Sequence, residues 1–128
     1  MRRRATAAIG RETMKYMLMF VQTDEEAWEK LTPAQQNMPA IERWWAEQAQ
    51  SGRLVGGHQL RSSRTATTVR WNGGRPVVTD GPFIEGKETI GGYGIFEVPD
   101  LDTAVAIAKT WPAPEHQLVE IRPVVERR

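Results

Sequence analysis

Apolar positions along this chain fall into short runs separated by polar stretches. The first run, Tyr16-Met17-Leu18-Met19-Phe20-Val21, has no polar face, which predicts a strand buried on both sides and central in its sheet. Residues 23–31 are polar with Trp28 and Leu31 embedded, a pattern of one short helical turn. Thr32, Pro33 and Gln35 then form a capping-box sequence, in which the Thr hydroxyl and Gln side chain satisfy each other's backbone N–H groups. Met38, Ile41, Trp45 and Ala49 recur at helical spacing to Gly52, a natural stop. Pro39 interrupts this stretch and predicts a kink or a helix in two parts.

Leu54-Val55 reads as a short strand leading into Gly56-Gly57-His58. Thr65 to Trp71 alternates and is rich in β-branched residues, and Arg75 to Thr79 is its return strand. Asn72-Gly73 between them predicts the hairpin turn. Pro82 cannot donate to a ladder, so Asp80-Gly81-Pro82-Phe83 must leave the sheet. Tyr93 to Val98 is a further strand after Gly91-Gly92. Asp100 caps a second helix with Leu101, Ala104, Val105 and Ala108 facing inward, and Pro112 and Pro114 end it. Leu118 to Pro123 is the last strand. The order is that of an α+β, ferredoxin-like β-α-β-β-α-β domain with an inserted β-hairpin.

Composition sharpens this picture at three points. A chain of 128 residues fits one domain; residues 14–124 are expected to form it, with 125–128 as a tail and 1–13 as a disordered leader or a mis-called start ahead of Met14. Arg2, Arg3, Arg4 and Arg11 against Glu12 give that leader +3, which leaves −2 for the rest of a chain of formal net charge +1. A slightly acidic domain is poorly suited to bind nucleic acid through its phosphates. The first apolar run is too short for a secretory signal or a membrane span. There is no cysteine, which excludes disulfides, thiolate chemistry and cysteine-held metals and agrees with a cytoplasmic location. The five tryptophans are many for this length, and some are expected at an interface.

Candidate chemistry is sparse. The chain has neither a phosphate-cradling loop with lysine nor a nucleophile elbow. His58 and His116 are its two histidines, without ligand spacing, so no metal or other cofactor is expected. Asp80 to Glu88 is the densest polar cluster. A carboxylate fixed at a strand end there could donate a proton; equally, Asp-Gly-Pro is ordinary turn chemistry and Glu85, Lys87 and Glu88 are solvated charges. His58, after two glycines, is either a general acid–base group or a surface histidine. Arg70 could clamp a carboxylate or pair within the sheet, and His116 is expected to be exposed and structural. Of the adjacent Trp44 and Trp45, one is core and the other serves a partner surface or the mouth of a pocket.

Asp80-Gly81-Pro82-Phe83, followed by Glu85, Lys87-Glu88 and Gly91-Gly92-Tyr93, resembles the signature of the YCII-related superfamily in its DGPF-domain branch. Met14 to Leu18, Leu54-Val55-Gly56-Gly57 through Leu60, Thr65 to Arg70, Asp100-Leu101-Asp102 and Val119 to Pro123 agree in place and order, so the likeness covers residues 14–124. It implies a ferredoxin-like fold whose sheets pair into a homodimeric α+β barrel with a cleft near the dimer interface. Members with a His/Asp pair carry the histidine on the first helix; Thr32 to Gln50 has none, so that dyad does not transfer. Arg61-Ser62-Ser63 also replaces the usual proline-containing segment. Two functions follow as expectations. One is a cofactor-independent enzyme or binder of a small metabolite, with Asp80, His58 and Glu88 catalytic and Arg70, Lys87 and Phe83 on the substrate. The other is a regulatory protein, since DGPF-type proteins resemble partners of extracytoplasmic-function sigma factors.

Overall fold

The computed structural model describes residues 12–84 and 86–127. Residues 1–11 of the expected leader, Glu85 of the acidic cluster and Arg128 lie outside the described residues. The elements are β1 (Met14–Gln22), α1 (Glu25–Lys30), α2 (Met38–Gln50), β2 (Leu54–Gln59), β3 (Thr67–Asn72), β4 (Arg75–Asp80), β5 (Thr89–Val98), α3 (Leu101–Ala108) and β6 (Gln117–Pro123). Four strands form an antiparallel sheet in the order β2-β5-β1-β6, and β3 and β4 form a separate two-stranded sheet. Set aside the hairpin, and this is the order of the ferredoxin-like split β-α-β-β-α-β unit. β1 is central as expected, bonded to β5 on one side and β6 on the other.

The registers sort the sheet into two unlike faces. Tyr16, Leu18 and Phe20 of β1 stand beside Phe96, Gly94 and Gly92 of β5, and all six are buried under the helices. Met17, Met19 and Val21 alternate with them on the other face, beside Ile95, Tyr93 and Ile90. That face carries no element of the described chain, and its residues are half-buried or exposed. The run Tyr16–Val21 is therefore buried on one side only within a single chain, which corrects the two-sided reading of its composition.

Four of the five tryptophans build the helix-side core rather than an outer surface. Trp44 is 4% exposed and meets the edges or faces of Phe20, Trp45, Phe96 and Trp111 at centroid distances of 4.9–6.0 Å. Near-perpendicular rings place the positive edge of one on the negative face of the next. Trp44 Nε1 donates to Thr110 Oγ1 at 2.8 Å, so its polar tip is satisfied. The core stripe of α2 is Ile41, Trp44 and Gln48, with Trp45 beside it and Ala49 exposed. It lies one step round the helix from the predicted stripe.

Local chemistry sets the element ends. The capping box forms, with Thr32 N donating to Gln35 Oε1 (2.8 Å) and Gln35 N to Thr32 Oγ1 (3.2 Å). It closes a separate turn that ends at Asn37, whose φ of 59° is left-handed. α2 starts afresh at Met38 with Pro39 in its first turn, where a missing N–H costs nothing. Asp100 caps α3 by accepting from Thr103 N (2.9 Å) and Oγ1 (2.7 Å). Ala104 and Ile107 are its buried positions. Leu101, read as a core residue, is exposed; it sits in the first turn, beyond the edge of the sheet-facing stripe.

Candidate functional site

The sequence-derived candidates lie on separate parts of the surface. His58 pairs with Tyr93 on β5, so its side chain is on the uncovered face of the sheet, tilted against the Tyr93 ring at 6.1 Å. Asp80 ends β4 opposite Thr67 and is exposed. Glu88 is exposed just before β5. Among the described residues no hydrogen bond or ion pair joins these three, and no group of three potential metal ligands occurs. Arg70 Nη2 donates to the Phe83 carbonyl at 2.7 Å, fastening the Asp80–Phe83 loop. Gly81 N to Ala66 O and Thr68 Oγ1 to Gly81 O, at 2.8 and 2.7 Å, hold the same loop from the other side. Phe83 itself is exposed. Lys87 Nζ lies 3.9 Å from Asp24 Oδ2, and its carbonyl accepts from Glu25 N at 2.8 Å. His116 is half-buried rather than exposed, because its ring tilts on Trp28; its carbonyl accepts from Thr23 N and Oγ1, a structural contact.

A different place gathers polar groups on an aromatic floor. A cleft of about 260 Å³ opens between the helix side of the sheet and helices α1 and α2. Its apolar walls are Phe20, Trp28, Ile41, Trp45 and Trp111. Phe20 and Trp111 stack at 4.1 Å. Trp45 is the half-buried member of the Trp44–Trp45 pair and stands in this cleft, the pocket role weighed from the sequence. It lies on the sheet because Gly57 and Gly94 have no side chains. A Cβ on Gly57 would meet Tyr93 O at 2.6 Å and the Trp45 ring at 3.1 Å, and one on Gly94 would lie 3.4 Å from that ring. Trp45 Nε1 is buried without a partner, a cost of about 1–3 kcal/mol for a desolvated donor.

The polar lining includes four side-chain amides, and two of them have fixed orientations. Trp111 Nε1 donates to Gln117 Oε1 at 2.9 Å. An indole N–H only donates, so the Gln117 oxygen must face it and Nε2 is left over. Gln36 Nε2 donates to the Trp28 carbonyl at 2.8 Å, a pure acceptor, which leaves Gln36 Oε1 over. Gln22 Oε1 accepts from Thr89 Oγ1 at 2.9 Å. Gln59, Arg61 and Ser62 come from the end of β2 and the loop after it, and Gly91-Gly92 from the start of β5. Both carboxylates of the lining are engaged. Glu25 accepts from Ser63 N at 3.0 Å and from the Ser63 hydroxyl. Glu29 pairs with Arg64; hydrogen bonds from Arg64 and then Ser62 hold its carboxyl below the usual range.

Sequence reasoning passed over this site because its glutamines and serine have no acid–base chemistry of their own and its charged members, Glu25, Glu29 and Arg61, stand in no motif. The available signal was the strand glycines, of which Gly57 and Gly94 lie against Trp45, since strand glycines mark close approach by another group. No helix among the described residues is long and apolar enough to cross a membrane. The chain is 30% identical over 73 residues to an uncharacterised protein of Rhizobium meliloti (strain 1021), a match covering 57% of this chain and 56% of that relative. The shared stretch thus spans little more than half of the relative's length. The family model of the YCII-related domain matches residues 14–128, the whole sheet, its helices and the hairpin, and the chain belongs to that family.

Proposed function

We propose that this protein is a cytoplasmic binder of a small metabolite, or a cofactor-independent proton-transfer enzyme, whose site is the tryptophan-walled cleft. The observation that carries this reading is the convergence of Trp28, Trp45 and Trp111 with three hydrogen-bonded glutamines, two of them oriented, around one opening. Placed hydrogen-bonding groups beside aromatic walls fix the orientation of a bound small molecule. Glu25 is the carboxylate at the wall that can exchange a proton with a bound molecule, its pose set by Ser63. Asp80, His58 and Glu88, with Arg70, Lys87 and Phe83, form the rival set, and they need a second chain to meet. That chain is the homodimer partner the family likeness implies, seated on the uncovered sheet face; the Asp80-Gly81-Pro82-Phe83 loop supports the DGPF-type assignment.

A thermal-shift screen against a metabolite library tests this, because a ligand that binds only the folded state raises the unfolding midpoint by mass action. Hits should vanish in Gln36→Ala and persist in His58→Ala and Asp80→Asn. The reverse pattern moves the site to the sheet face and hairpin. A blank across the library sinks the metabolite reading and favours a protein partner such as a sigma factor.

A further inference from the structure

The cleft's hydrogen-bonding inventory specifies a ligand class, an inference that rests on the cleft being a small-molecule site. Two of its amides have orientations set by chemistry alone. Gln117 must give its oxygen to the Trp111 N–H and Gln36 must give an N–H to the Trp28 carbonyl. The groups left over are an N–H donor from Gln117 and a C=O acceptor from Gln36. Of the lining's two carboxylates, Glu29 is paired with Arg64, while Glu25 accepts hydrogen bonds from the neutral Ser63 and keeps its charge.

We infer that the ligand is a neutral, planar ring bearing both a hydrogen-bond acceptor and a donor on its edge, of the aromatic amide or lactam kind. Its faces match the aromatic walls of the cleft, Trp28 and Trp45. Its carbonyl answers Gln117 Nε2, and its N–H answers Gln36 Oε1. A cleft of about 260 Å³ is at the small end for such sites and suits one ring or two fused rings. A carboxylate of the same shape would sit beside Glu25 and Glu29 with Arg61 as the lining's cation, and it has no donor for Gln36. An amidinium has no acceptor for Gln117.

Benzamide, benzoate and benzamidine have nearly one shape and differ in charge, so they separate these cases. Three of the five tryptophans line the cleft, so quenching of intrinsic fluorescence reports occupancy. The full chain is titrated at neutral pH with each probe up to about 20 mM, since molecules this small bind weakly. The expected order is benzamide at least about tenfold tighter than either charged probe, one bidentate edge contact being worth about that factor. Gln117→Glu still accepts from Trp111 but offers no donor; it should lose the preference for benzamide and gain one for benzamidine. Quenching led by benzoate or benzamidine in the wild type overturns the ligand class and leaves the cleft standing as a site. No quenching by any of the three overturns the cleft reading as well.

Discussion

The glycine under Trp45 is where one missing side chain decides the local structure. A methyl on Gly57 meets backbone, not a movable side chain: Tyr93 O and Gly94 Cα lie 2.6 and 2.9 Å from its position. Gly57→Ala should therefore destabilise the fold by about 1–3 kcal/mol, the usual cost of overpacking, and should open the cleft by displacing Trp45. Urea unfolding reads the first effect and indole fluorescence the second; a variant indistinguishable from wild type would mean that Trp45 does not rest on this strand. Trp111 gives a second test. Trp111→Phe keeps an aromatic ring on Phe20 but strands the Gln117 oxygen, an unmade bond worth about 1–3 kcal/mol. Trp111→Phe combined with Gln117→Leu should recover part of that loss, because removing both partners leaves nothing unsatisfied.

At the scale of elements, capping and turn chemistry were readable from sequence, while packing faces were less so. Asp100, the Thr32–Gln35 box and the strand positions all come from short-range rules that few residues determine. The hairpin was found with its turn one residue out: Asn72 pairs with Arg75, and Gly73 and Gly74 are the central residues, with φ of 59° and 82°. Both central positions of this turn need positive φ, which two glycines adopt without strain. The α2 stripe was misread because Trp44 and Trp45 are neighbours and periodicity does not say which is inside. The cleft was invisible because it joins residues from Gln22 to Gln117. The cap carries a pH prediction. Thr103, by its hydroxyl and then its N–H, holds the Asp100 carboxyl below the usual range. A lowered folded pKa means stability that is complete above the unfolded value, about 3.9, and is lost as pH falls through the folded one. Asp100→Asn should stay close to wild type at pH 7, Asn being an equal cap, but lose less of its urea midpoint between pH 5 and pH 3. An equal acid response in both proteins would remove Asp100 from that account.

At the scale of the whole molecule, the described residues leave at least two apolar surfaces without cover. One is the sheet face of Met17, Met19, Val21, Tyr93 and Ile95. The other is one face of the hairpin, where the register sets Val69 beside Val78 and Trp71 beside Pro76. Trp71 is 70% exposed and Val78 64%. An isolated two-stranded hairpin is marginal in water, and the bonds through Gly81, Thr68 and Arg70 tie this one to its own flanking residues, Ala66 to Phe83, rather than to the four-stranded sheet. A second copy covering the sheet face would bury both surfaces if its hairpin reached over the edge, and it would bring Asp80 and Arg70 of one chain toward the other. The proposed homodimer thus predicts two separable losses in sedimentation velocity. Met19→Asp, which places a charge in the middle of the sheet face, should give monomer at micromolar concentration. Trp71→Ser should weaken the dimer without altering the unfolding of a monomer, since Trp71 touches no core residue among those that build the helix side. A dimer that survives Met19→Asp but not Trp71→Ser would place the interface on the hairpins alone. A wild-type monomer at high concentration would instead assign both surfaces to a different partner.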